Sequence, residues 1–150
     1  MDRRIWISIV VLSSSLAGCA QSVADVALQN RAKINQLSLG MSREDVDRVM
    51  GPPTVKVRAV GPFSNTQITN PHKTEAVRGK SGDTIEVRYY PTEVRNGEND
   101  EEFAFTEDEL TPLVFRDRQL LGWGWNLLFE NVDRTQLQHR YESNRPRPDL

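Results

Sequence analysis

The chain has a single cysteine, Cys19, so no internal disulfide can staple it and the folded part must stand on its own core. Histidine is almost as scarce. His72 follows Pro71 in a polar stretch, and His139 lies between Gln138 and Arg140. Two separated histidines without a second cysteine make a poor zinc site, and neither sits beside a nucleophile. Both are expected to be exposed, and no catalytic residue, metal ligand or bound cofactor is assigned. The apolar run Ile5–Leu12 is far shorter than the roughly 20 residues a membrane span needs. Charge of one sign is also lacking: 19 Lys and Arg face 21 Asp and Glu, with no basic footprint for nucleic acid. No repeat occurs at solenoid periods. The GKSG at 79–82 lacks the upstream glycine and following helix of a phosphate loop. The ENDEE at 98–102 lacks the alternating ligands of a calcium loop and reads as a solvated charge run.

What is present begins at the N-terminus. Arg3 and Arg4 precede the apolar run, small and polar residues follow, and Leu16-Ala17-Gly18-Cys19 closes the segment. This is the three-part layout of a secretory signal. Its ending resembles the bacterial lipobox, which implies cleavage before Cys19, diacylglycerol on the Cys19 thiol and an acylated new amino terminus. Several acyl chains hold a protein stably on a membrane. Ala20 and Gln21 follow where Asp would signal inner-membrane retention, which resembles the route to the inner leaflet of the outer membrane. Residues 1–18 are thus read as signal peptide, and 19–29 as lipidated Cys19, tether and start of the first helix. Residues 30–143 are read as one domain and 144–150, with two prolines, as a disordered tail. Removal of Asp2, Arg3 and Arg4 leaves 17 basic against 20 acidic residues.

Apolar spacing at Val23, Ala27, Ile34 and Leu37 predicts a first helix over about 23–37, with Asn30 interrupting the stripe. Ser42 is a good N-cap for a second helix, with Asp45 three residues on and Val46, Val49 and Met50 as its stripe. Gly51 and Pro52-Pro53 stop it. Period-two alternation then predicts strands at 55–59 and 84–90. Further strands are expected at 111–115 and 119–125, joined by a turn at Asp117-Arg118. Residues 61–83 and 91–109 read as long polar loops, the second carrying eight acids and pinned by Phe103 and Phe105. Trp123 and Trp125, two apart on a strand, are expected on one face beneath the helices. Residues 126–141 are read as room for a last helix. The resulting expectation is an α+β fold: two N-terminal helices packed on one face of a small antiparallel sheet of three to four strands. The other face is expected to be wet, carrying Lys56, Arg58, Glu86, Arg88 and Tyr90.

The stretch LSLGMSREDV at 37–46, continuing to MGPP at 50–53, resembles the signature of the SmpA/OmlA family of small outer-membrane lipoproteins, the BamE-like group. TPLVF at 111–115 with LLGWG at 120–124 is more similar to uncharacterised proteobacterial lipoproteins related to that group. The resemblance covers about residues 30–125, without the two long loops. It implies the two-helix-on-sheet fold shared with β-lactamase-inhibitor proteins. It also implies a scaffold or accessory role among envelope proteins. On this reading the partners are the membrane, through Cys19, and envelope proteins, through Arg58, Arg88, Tyr90, Asp100, Glu101 and Glu102. The alternative is an inhibitor or sensor whose acidic loop plugs a basic cleft of a periplasmic enzyme.

Overall fold

A computed structural model describes residues 21–58, 65–94 and 105–133. The expectations about Cys19, the signal segment, Phe103, Asp100, Glu101, Glu102, His139 and the tail lie outside these residues. The fold is α+β, with three helices and two antiparallel sheets. Helix α1 spans Val23–Ile34. Ser22 caps it in a reciprocal box: its hydroxyl accepts from Asp25 N–H at 3.1 Å, and its own N–H donates to Asp25 at 3.0 Å. The helix ends three residues earlier than the apolar spacing predicts, because residues 35–36 form a turn, yet Leu37 still packs inward. Helix α2 spans Arg43–Met50 behind the expected Ser42 cap, whose hydroxyl accepts from Asp45 N–H. Gly51 ends it at φ +90°, a backbone state that side chains disfavour.

Strands β1 (Thr54–Arg58) and β2 (Asn65–Thr69) form a two-stranded sheet. Strands β3 (Lys73–Arg78), β4 (Thr84–Pro91), β5 (Leu110–Arg116) and β6 (Gln119–Trp123) form a second sheet in that order. The expected loop at 61–83 therefore contains two strands. In β3 the alternation is hidden because an inward position is charged, Glu75, and an outward one is apolar, Ala76. Burial of Glu75 is tolerated because the Tyr89 hydroxyl donates to it at 2.5 Å and Lys73 pairs with it at 3.0 Å. The Asp117-Arg118 turn joining β5 to β6 has positive φ at both residues, as a two-residue type I′ hairpin requires, without glycine.

The face of the larger sheet that carries Arg88 and Tyr90 is covered over β4–β6, while Thr74, Ala76 and Arg78 of β3 stay exposed on it. Tyr90, Leu113, Phe115 and Leu120 pack beneath Ile34, Leu37, Val46 and Met50 of the α1–α2 layer. A third helix, α3 (Trp125–Asn131), covers the opposite face, where Leu128 meets Ile85, Val87, Tyr89 and Val114. The arrangement is thus not two N-terminal helices on one sheet but three helices on both faces of it. Trp123 and Trp125 part company for the same reason. Gly124, at φ +95°, turns the chain out of β6, so Trp123 joins the α1–α2 layer and Trp125 the α3 layer.

Helix α1 bridges the two sheets. Val26 packs with Val57 and Ile68 of the small sheet, and Ile34 packs on the large one. Between them, at the seam, lies Asn30. Its amide N–H groups donate to Asn70 Oδ1 at 2.8 Å and to the Pro91 carbonyl at 2.9 Å. Asn70 Nδ2 donates back to Asn30 Oδ1 at 3.0 Å. Both side chains are buried. Leaving one buried polar partner unpaired costs about 1–3 kcal/mol. Asn30→Ala is therefore expected to lose about 2–3 kcal/mol in urea unfolding. The Asn30→Leu, Asn70→Leu double variant is expected to lose less than the sum of the two single losses. Strict additivity would mean that the amides act independently.

Candidate functional site

A cleft of about 320 Å³ opens where the two helical layers meet at one end of the large sheet. The last turn of α1 supplies Arg31 and Ile34 and its C-cap Asn35, the end of β4 leads into Thr92 and Glu93, and β5 begins with Leu110 and Thr111. Asp108 belongs to a 3-10 turn, Trp123 ends β6 and Trp125 starts α3. Local hydrogen bonds set this geometry. Trp125 Nε1 donates to the Leu110 carbonyl at 2.9 Å, and Gly124 N–H donates to the Pro112 carbonyl at 2.8 Å. Thr92 and Thr111 share a hydroxyl hydrogen bond of 2.7 Å. Thr106 N–H and hydroxyl both donate to Glu109, which closes the turn carrying Asp108.

The lining brings two indoles and two aliphatic side chains together with guanidinium, amide, hydroxyl and carboxylate groups. Such a surface suits a partner that offers an apolar side chain flanked by polar backbone. The cleft lining contains no histidine, cysteine or serine, and no group of three potential metal-binding side chains occurs among the described residues.

The residues singled out from the sequence fall elsewhere. Arg58 is exposed at the end of β1, where its N–H donates to the Gln21 carbonyl at 2.8 Å. Arg88 is buried instead of lying on an open face. Its Nε donates to Glu86 at 2.7 Å, it pairs with Asp47 of α2, and it lies over the Phe115 ring at 5.1 Å. Burial works against its charge, but Glu86 and Asp47 outweigh that and raise its pKa. Tyr90 is buried beside it, and burial pushes the phenol pKa up. Both residues hold α2 on the sheet and offer nothing to a partner's surface. Arg31, Asn35 and the Trp123–Trp125 placement around the cleft were missed. The spacing of Arg31 and Asn35, four apart on one helix face, was the available signal.

Over residues 8–129 the chain matches a family described as "Protein of unknown function (DUF3192)". The chain belongs to this DUF3192 family. Comparison with curated proteins and with solved structures gave no match. The DUF3192 match takes in Cys19 as well as most of the folded domain, the cleft included.

His72 of this DUF3192 chain is half-buried, not exposed, edge-on to Phe105 at 5.1 Å. Burial, with Lys73 adjoining, lowers its pKa. The unfolded chain therefore takes up a proton at His72 before the folded one does. Stability should fall as pH drops through the ordinary imidazole value, about 6.5. The loss of melting temperature between pH 7.5 and 5.5 is expected to be smaller in His72→Gln than in the natural chain. Equal losses would show that the fold does not hold this imidazole neutral.

Proposed function

We propose that this DUF3192 protein is a lipid-anchored, non-catalytic binding module of the bacterial cell envelope. Its domain faces the periplasm from the inner leaflet of the outer membrane. The observation that carries this reading is Leu16-Ala17-Gly18-Cys19 behind a basic start and a short apolar run, two residues before Gln21, which bridges to Val57 of β1. The lipid confines the domain to one surface and raises its effective concentration towards other envelope proteins. The α1–α2 layer, entered through Gly40-Met41-Ser42, supports a likeness to the SmpA/OmlA group. With that likeness comes a scaffold role in outer-membrane assembly or maintenance. The Trp123–Trp125 cleft is the contact surface in this reading, in place of Arg88 and Tyr90.

A second reading, as inhibitor or sensor of a periplasmic enzyme, draws on the acids. Glu93 and Asp108 line the cleft and flank in sequence the segment containing Asp100, Glu101 and Glu102.

Labelled palmitate is expected to enter the mature natural chain and not Cys19→Ala. Equal labelling of the two, or none in either, rejects the anchor. A photo-crosslinker at Asn35 is expected to trap a membrane-embedded or barrel-assembly protein. Capture of a soluble periplasmic enzyme there would select the inhibitor reading instead.

A further inference from the structure

Gln21 forms a parallel bridge with Val57, and Arg58 N–H donates to its carbonyl at 2.8 Å. Ser22 and Asp25 then fix the first turn of α1. Only Ala20 separates Gln21 from Cys19. Two residues reach at most about 7 Å however they are arranged. A lipid on Cys19 therefore leaves the Gln21–Arg58 end of the domain no room to stand off from the bilayer.

That end carries charge suited to such a neighbour. Strand β1 alternates, with Val57 buried and Lys56 and Arg58 exposed on the outer face of the small sheet. Gln67, exposed and paired across from Lys56, extends this face on β2. Asp25 is engaged by Ser22 in the helix cap, and the hydrogen bonds from the Ser22 backbone and hydroxyl, with a smaller contribution from Arg58, lower its pKa. The cleft lies well away: Arg31 is ten residues along the chain from Gln21, about 15 Å at the helical rise.

We infer that the outer face of the β1–β2 sheet is the membrane-facing surface of the domain, with Lys56 and Arg58 against the phosphates of anionic phospholipid headgroups. This rests on the lipid-anchor reading. It gives the domain one orientation, with basic side chains on the bilayer surface.

Acylation of Cys19 consumes the single natural thiol, so one introduced cysteine becomes a unique labelling site. The test uses the lipidated mature chain in vesicles containing phosphatidylglycerol, with a nitroxide at Gln67→Cys or at Asp117→Cys on the exposed β5–β6 turn. The Gln67 label is expected to be several-fold less accessible than the Asp117 label to a water-soluble relaxation agent. Lys56→Glu with Arg58→Glu should remove at least half of that shielding, as should vesicles of phosphatidylcholine alone. Equal accessibility at the two positions overturns the orientation. Shielding that ignores both the charge reversal and the lipid headgroup overturns the phosphate contact. Intact mass is measured first: a chain without acyl mass overturns the anchor itself, an outcome separate from an acylated chain that sits the other way.

Discussion

Asn30 and Asn70 exchange hydrogen bonds at the seam between two sheets, and the placement of the remaining elements follows from that exchange. An apolar pair at this position would bury similar area but would accept several registers, because the hydrophobic effect has no direction. Two buried amides accept one. A one-residue slip of α1 would swing Asn30 about 100° around the helix and strand both amides and the Pro91 carbonyl. With α1 so fixed, its N-terminal half seals the small sheet through Val26 and its C-terminal half seals the large one through Ile34.

The second fixed point lies under α2. Asp47, Arg88, Glu86 and Arg43 alternate in sign, so the buried guanidinium has a carboxylate on either side and an aromatic ring beneath it. Arg43 and Asp47 belong to the helix, and Glu86 and Arg88 to β4. The pairing sets the angle of α2 on the sheet. Lys33 adds a direct tie between helices, its Nζ donating at 2.8 Å to the Met50 carbonyl at the electronegative end of α2.

The parts legible in the sequence were those whose signal is local. Ser42, Gly51 and the two prolines mark α2 closely, and clean alternation marks β1 and β4. Strands β2 and β3 were illegible because their burial depends on distant partners. Glu75 reads as a solvent residue until Tyr89 and Lys73 are placed beside it. Asn30 read as a flaw in an apolar stripe and is instead its most specific member. The face carrying Arg88 and Tyr90 read as wet because charge pattern alone cannot tell an exposed guanidinium from one paired inside. The cleft was least legible, since its lining comes from four separate stretches and Gly124 reverses the expected side of Trp125.

That reversal has a mechanical meaning. The large sheet separates two hydrophobic layers, and their side chains do not touch through its backbone. At the cleft the separation ends: Trp123 comes from one layer and Trp125 from the other, and both line the same opening. A molecule lodged there would touch both layers at once and tie one to the other like a strut.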